Sequence, residues 1–258
     1  MSAPVFISEG GKLTSYKAGD RFHLCGTEGR HAGVVQRRQP GEAIDIVDGT
    51  GGRLRCVIES VDQSDVFLTV VEVLQEDFGP YEFILVQALA KGDRDEMAIE
   101  AATEVGVDVV LPWQAERSIV IWRGSRAAKS QARWVATVRT AAKQARRSEI
   151  PAVAEPVDSK QLTTWIKDTT AAGGLVVILH EDATAPLGEI ELPALPTDGS
   201  KVRIALVVGP EGGMSEREVE NFTAAGAQLR LLGPHVLRTS TAGPVGLSLL
   251  SHLSGRWG

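Results

Sequence analysis

The last third of this chain constrains it most, because one structural phrase is written there twice. Ile204 to Val208 is an apolar, β-branched run that reads as a fully buried strand, and it stops at Gly209-Pro210. Gly209, Gly212 and Gly213 let backbone N–H groups approach a ligand, and Ser215 with Glu218 spells a capping box that starts a helix at about Glu216. The phrase then returns. Gln228 to Leu232 is a short strand, Gly233-Pro234 ends it, and Thr239, Ser240 or Thr241 can cap a final helix through Leu247 to Leu253. Strand, glycine loop and helix N-terminus make a ligand cradle, and two neighbouring strand ends offer two loops to one site. Taken alone, GPEGG is as readily a tight turn. No Gly-Lys-Ser/Thr follows either loop and neither matches G-x-G-x-x-G, which disfavours a nucleotide cofactor held in the usual way.

The residues upstream supply more strands for the same sheet. Phe83 to Leu89 is a continuous apolar strand, a helix runs from Gly92-Asp93 to Val105, Gly106 closes it, and Val107 to Leu111 is the next strand. That order requires parallel pairing with a right-handed crossover. A polar helix over Ser159 to Asp168 leads into the strand Leu175 to Leu179, which ends in His180-Glu181. Such a pair is either a general-base candidate or a polar cap on the next loop. Three strand ends are therefore expected to converge: Leu179 to Glu181, Gly209 to Gly213, and Leu231 to Ala242.

Before about Glu76 the pattern is different. Phe22 to Leu24, Gly33 to Val35, Ala43 to Val47, Arg53 to Ile58 and Val66 to Val71 are short runs of period two, cut by Asp48-Gly49 and Gly51-Gly52. They predict a small antiparallel β-barrel or sandwich over residues 1–76, followed by an α/β domain over 77–258. Arg30, His31, Arg37 and Arg38 either form a basic patch on this first domain or a solvated charged rim.

Charge is distributed unevenly. The net charge is −6, yet Arg117 to Arg147 contains nine Lys or Arg and no acid, which leaves −15 for the remainder. A helix predicted from about Arg126 to Arg147 gathers Trp134, Val135, Val138, Ala141, Ala142 and Ala145 on one side and Arg126, Lys129, Arg133, Lys143 and Arg147 on the other. A face of one sign reads as a surface that tracks phosphates, so RNA contact is expected there. Lys91 and Arg94 either join it or merely solvate a helix start.

Other classes are disfavoured. Cys25 and Cys56 lie far apart and read as reduced core residues, and the five histidines show no metal-ligand spacing, so no metal is expected. No run approaches the ~18 apolar residues of a membrane span, and Met1 to Gly10 lacks the regions of a signal peptide, so a cytoplasmic location is expected. Leu247, Leu249, Leu250 and Leu253 girdle the final helix and Trp257 follows; this exceeds what one monomer core covers and predicts a homodimer.

GPEGGMSEREVE followed by LGPHVLRTSTA closely resembles the signature of the RsmE family of SPOUT methyltransferases. HAGVVQRRQPGEAIDIVDG, QALAKGDRDEMAIEAATEVGVDVVLP and the Gln144…Arg147…Pro151 element extend the likeness from about residue 20 to residue 250. The resemblance implies a PUA-like RNA-binding barrel before a SPOUT domain with a C-terminal trefoil knot. It implies methylation of N3 of a uridine in 16S ribosomal RNA, with S-adenosyl-L-methionine as donor, the 16S RNA or small subunit as substrate, and a dimer whose second subunit completes the site. Carried onto this chain, Leu179, His180, Glu181, Gly209, Glu211, Gly212, Gly213, Leu232, Gly233, Val236, Leu237, Thr239, Thr241 and Ala242 would hold the donor. Arg30, Arg37, Lys91, Arg94, Arg126, Lys129 and Arg133 would meet RNA. Arg238 is the first candidate to stabilise a deprotonated uracil, Arg147 the second, with Gln144 beside it; Glu211 and His180 are candidate bases, and bulk solvent is a third. Three positions depart from the family pattern: Lys143 stands where Glu is usual, Ala145 where Ser is usual and Ser240 where Glu is usual. These departures keep open an RNA-binding ribosome-assembly factor with a degenerate donor pocket. A metabolic α/β enzyme acting on a phosphorylated substrate is a third, weaker reading.

Overall fold

Alternating residues of the N-terminal region form β1 (Val5–Ile7), β2 (Arg21–Leu24), β3 (Ala43–Val47), β4 (Gly52–Asp62) and β5 (Asp65–Gln75), arranged in the order β1-β3-β4-β5-β2. The computed structural model describes residues 3–257, and the side chains of Ser125 and Arg126 lie outside that description. One face of this sheet buries Phe6, Ile44, Ile46, Leu54, Cys56, Ile58 and Leu68, the inward half of each alternating run. The pairs β3–β4, β4–β5 and β2–β5 are antiparallel as expected, but β1 pairs parallel with β3.

Two expectations fail in this unit. Gly33 to Val35 is not a strand: α1 (Gly26–Arg30) continues into a π-helical turn, His31–Val35. A Cβ on Gly29 would stand 2.1 Å from the Ser64 carbonyl and one on Gly33 2.2 Å from that of Gln63. The two glycines, four apart on one helical face, let this turn press directly on the β4–β5 hairpin backbone. Cys25 is exposed rather than buried. Cys56 is in the core, and burial, with Asp45 nearby, pushes its thiol up to about 12, so it stays protonated.

The chain divides into two compact units, Met1–Asp77 with Ala142–Ile150, and Phe78–Ala141 with Pro151–Gly258. The return of 142–150 to the first unit departs from a single boundary at 76/77, and hydrogen bonds explain it. Gly51 N donates to Ser148 O (3.1 Å), Ile150 N to Gly49 O (3.0 Å), and Arg53 reaches Arg146 O (2.8 Å) while paired with Asp45 and Glu76. Lys143 turns onto Glu28 (2.6 Å) and His31 Nδ1 (2.9 Å), so this cation finds its counter-charge within this unit.

The second unit contains β6 (Tyr81–Ala88), α2 (Arg94–Glu104), β7 (Val109–Gln114), most of α3 (Ser125–Gln144), β8 (Ala152–Val153), β9 (Val157–Asp158), α4 (Ser159–Ala171), β10 (Leu175–Leu179), β11 (Val202–Val208), α5 (Glu216–Ala224), β12 (Gln228–Arg230) and α6 (Thr239–Leu253). Its sheet runs β12-β10-β11-β6-β7-β8, with β9 also on β7, and every pair is parallel. Helices cover both faces, which is why its central strands are unbroken apolar runs. Ile84, Val86, Ile178 and Val207 pack with Leu162 and Ile166 of α4 and Phe222 of α5. On the opposite face α6 lies so close that a Cβ on Gly243 would meet Leu85 at 2.9 Å and one on Gly246 would meet Leu206 at 2.6 Å.

The chain end is clasped to the sheet. Arg256 makes a two-pronged contact with Asp108 (2.7 and 2.6 Å) and lies 5.0 Å from the Phe83 ring centroid. Asp108 also accepts from Phe83 N (2.8 Å), so this buried pair is satisfied by geometry as well as charge.

Candidate functional site

Parallel pairing places the C-terminal ends of β10, β11 and β12 on one edge of the sheet, and backbone bonds tie their loops together. His180 N donates to Arg230 O (3.2 Å), Leu187 N to Leu231 O (2.8 Å) and Leu231 N to Ala185 O (2.8 Å), joining the loop after β10 to that after β12. The Thr239 hydroxyl donates to Gly209 O (2.8 Å), joining the start of α6 to the loop after β11. The convergence expected from sequence is thus a hydrogen-bonded arrangement.

Thr239, Ser240 and Thr241, read from sequence as candidate caps, lie inside the first turn of α6, with Arg238 in an extended conformation as its N-cap residue and no side-chain cap. Thr239 is spent on Gly209 rather than on capping. Arg238, Val236 and Leu237 are exposed, Leu232 and Gly233 half-buried, and Thr241 is exposed beside the buried Ala242. The Gly209–Gly213 loop is held from below by its own capping box. Ser215 accepts from Glu218 N, and the buried Glu218 carboxylate takes Ser215 N (2.8 Å), Glu116 N (2.8 Å) and the Ser159 hydroxyl (2.6 Å). A Ser cap of this kind stabilises a helix by about 1 kcal/mol.

Two guanidinium groups flank that loop. Arg94 pairs with Glu211 (2.9 Å), and Arg117 donates to Gly212 O (3.2 Å). Sequence placed Arg94 with the RNA contacts, whereas its partner here is the glycine loop. Sequence counted Arg117 only as the first cation of the basic segment, with no role at this loop. Glu211, offered as a base, is engaged by Arg94. His180 Nδ1 accepts from Asp182 N (3.2 Å), which matches the loop-capping reading of the His180-Glu181 pair.

The arrangement fits a flat, polar-edged ligand held by backbone. Gly212 and Gly213 are exposed, a Cβ on Gly233 would meet nothing within 4 Å, and Leu179, Leu232, Val236 and Leu237 supply apolar surface around them. Behind them sits a residue that sequence reasoning missed. Gln87 is fully buried at the end of β6; its Nε2 donates to Thr239 Oγ1 (2.9 Å) and Ala88 O (3.2 Å). Its signal was legible as the one amide in the apolar run Phe83 to Ala90.

The basic helix is less uniformly free than its sequence. Trp134, Val138, Ala141 and Ala142 are buried as expected, but Val135 and Ala145 are exposed. Arg133 pairs with Asp93 and Glu96. Lys129 and Lys91 are exposed, as are Arg30 and Arg37 in the first unit; the Arg126 side chain lies outside the described residues. Beside α2 a cavity of about 180 Å³ is lined by Asp93, Asp95, Glu96, Trp122, Arg133 and Trp134. Burial pushes the Asp95 carboxyl up to about 6, against the lowering effect of hydrogen bonds from the Ala90 and Asp95 backbone and of Arg133. Gln144 and Arg147 belong to the first unit, and the three loops belong to the second. No helix among the described residues is long and apolar enough to cross a membrane.

Comparison with known proteins agrees with this geometry. A family model described as an RNA methyltransferase domain matches residues 79–251. The ribosomal RNA small subunit methyltransferase E of Mycobacterium bovis is 42% identical over 90% of this chain and 86% of its own length; the Bacillus subtilis protein of the same name is 32% identical over 90% of each. Among solved structures, ribosomal RNA small subunit methyltransferase E from Neisseria gonorrhoeae, bound to S-adenosyl methionine, superposes with a TM-score of 0.82 at 27% identity over 98% of both chains. A methyltransferase from Legionella pneumophila in complex with SAM gives 0.80 at 30% identity, also over 98% of both. With the three loops joined at one sheet edge and likeness spanning nine-tenths of the chain, this protein belongs to the RsmE family of ribosomal RNA methyltransferases.

Proposed function

We propose that this protein methylates N3 of a uridine in 16S ribosomal RNA, using S-adenosyl-L-methionine held by the loops after β10, β11 and β12. The observation that carries the reading is the junction of these loops through Thr239 and Gly209, beside the open Gly233 and the exposed Gly212 and Gly213. The donor, when bound, supplies an electrophilic methyl group on a sulfonium. Leu179, His180, Glu181, Gly209, Gly212, Gly213, Leu232 and Gly233 offer backbone groups to it. Val236, Leu237 and Ala242 offer apolar contact, and Thr239 and Thr241 offer hydroxyls. Glu211, tied to Arg94, fixes the loop.

The chain's own work is alignment and charge stabilisation. Arg238 stands exposed at the junction between β12 and α6, and its planar guanidinium fork suits the carbonyl of a uracil that has lost its N3 proton. The proton passes to solvent, because Glu211 is paired with Arg94 and His180 Nδ1 is engaged with the next loop. Arg147 and Gln144 serve from a second subunit in a homodimer. Of the leucine girdle read from sequence, Leu247 and Leu250 are buried; support for that dimer is the apolar surface left outward by Val245 and Leu253 of α6, 42% and 37% exposed, and by Trp257 beyond it, 52% exposed.

The first unit acts as a PUA-like RNA-binding barrel, with Arg30 and Arg37 on its surface. In the second unit the exposed Lys91 and Lys129 offer phosphate contacts of their own. The C-terminal segment forms a trefoil knot; α6 returns from the edge strand β12 to pack on the central strands β11 and β6, a path that supports threading. Its substrate places the enzyme in the cytoplasm.

The test is to incubate the protein with S-adenosylmethionine and small subunits lacking the modification, then map the methylated nucleotide by mass spectrometry. Methylation at any atom other than uridine N3 refutes the specificity. Calorimetric titration of the donor accompanies it with Gly212→Val, whose added Cβ starts 3.3 Å from Arg117 Cβ. Wild type binding and the variant losing at least tenfold in affinity is the expected result. RNA binding without any heat from the donor would favour the assembly-factor reading, which the Ser240 departure supports. Sedimentation at micromolar concentration checks the dimer.

A further inference from the structure

Gln87 stands out once the sheet is viewed from the α6 side. It occupies the central strand β6, flanked by Val208 of β11 and Pro112 of β7, and is 0% exposed. Its neighbours along the strand on that face, Phe83 and Leu85, are apolar. A Leu or Met of similar size would fill the space without a polar group to satisfy. Gln87 instead commits Nε2 to Thr239 Oγ1 (2.9 Å), and Thr239, with its oxygen already accepting, turns its proton to Gly209 O (2.8 Å). The amide orientation follows from this chain: were it flipped, Thr239 would face two acceptors with a single proton. Among the described residues Gln87 Oε1 is buried without a hydrogen-bond partner. An orphaned buried acceptor is a standing cost, and in a native protein it calls for an explanation beyond packing.

We propose that Gln87 is a positioning residue for the donor site: through Thr239 it fixes the first turn of α6 against the Gly209 carbonyl, locking two of the three loops in register. This inference rests on the donor-site reading above. Two features make the lock effective. Thr239 is the first residue of α6 and has no capping role, because the N-cap residue Arg238 makes no side-chain cap bond. The helix is pressed onto the sheet at Gly243 and Gly246, so a shift at Thr239 cannot be absorbed by the helix riding up. Rigid first contacts held by a second layer of hydrogen bonds are what a site needs to bind without reorganising.

The experiment titrates S-adenosylmethionine calorimetrically into wild type, Gln87→Met, Thr239→Val and the double variant, with thermal melts of each. Gln87→Met should weaken binding about tenfold, and the double variant should bind no more weakly than Thr239→Val alone, because both substitutions break one relay. Arg256→Met, which breaks the clasp on Asp108 at the opposite end of the sheet, serves as the control for general destabilisation: its melting temperature should fall with donor affinity unchanged. Gln87→Glu supplies a second readout. A buried carboxyl donates to Thr239 only while protonated, so its affinity relative to wild type should rise as pH falls. Undiminished binding by Gln87→Met, additive losses in the double variant, or a flat relative pH profile for Gln87→Glu would each overturn the proposal. A wild type that takes up no donor would instead refute the donor-site reading itself.

Discussion

Replacing Asp95 by Asn should stabilise this protein at high pH and destabilise it at low pH, a change of sign that few substitutions produce. Asp95 lies in the first turn of α2 and is only 5% exposed, and burial holds its carboxyl at about 6 against an ordinary 3.8. The folded protein therefore keeps a proton that the unfolded chain releases. The resulting penalty is absent below the unfolded value, grows as pH rises towards about 6 and is complete above it. A displacement of about two pH units corresponds to about 3 kcal/mol. Asn removes the ionisation but keeps only one acceptor. It retains the bond from Glu96 N (2.9 Å) and loses the weaker one from Ala90 N (3.5 Å), at a cost of about 1 kcal/mol. The balance is a gain of about 2 kcal/mol near pH 8, or a rise of roughly 4–8 °C in melting temperature. Near pH 4 the variant should be the less stable by about 1 kcal/mol. Melts across this range measure the difference directly. A difference that does not vary with pH, or a variant less stable than wild type near pH 8, would refute the reasoning.

Two further outcomes follow from named contacts. Arg256→Met strips Asp108 of its two-pronged partner in a buried setting and should cost about 3–5 kcal/mol in urea-induced unfolding of the intact chain; a loss under 1 kcal/mol would show that water reaches the clasp. Lys129→Ala should lower the salt slope of binding to a small-subunit RNA fragment by about 0.7–0.9, whereas Arg133→Ala, whose charge is already paired with Asp93 and Glu96, should lower it less. Equal effects would mean that RNA displaces the acidic partners of Arg133.

Local patterns determined a great deal. Continuous apolar runs from Leu175 and from Ile204 read as strands covered on both faces, and the box Ser215…Glu218 marked where α5 begins. The tandem glycine loops and the family signature placed the candidate site at the strand ends. These properties depend on neighbours within a few residues, or on motifs that chemistry keeps together, so they are visible in one dimension.

Tertiary structure alone decided what depends on distant partners. Gly33 to Val35 reads as a strand, but Gly29 and Gly33 meet the carbonyls of a hairpin some thirty residues later, and that close approach selects a helical turn. The positive face of α3 looks uniform until Asp93, Glu96 and Glu28 arrive to pair with Arg133 and Lys143. Gln87 announces itself in sequence only as a polar residue in an apolar strand. Its meaning lies with Thr239, which stands 152 positions away along the chain and a hydrogen bond away in space. Charge pairing and buried polar satisfaction act over ångströms regardless of sequence separation, which is why the sequence located the loops and only the fold showed what holds them.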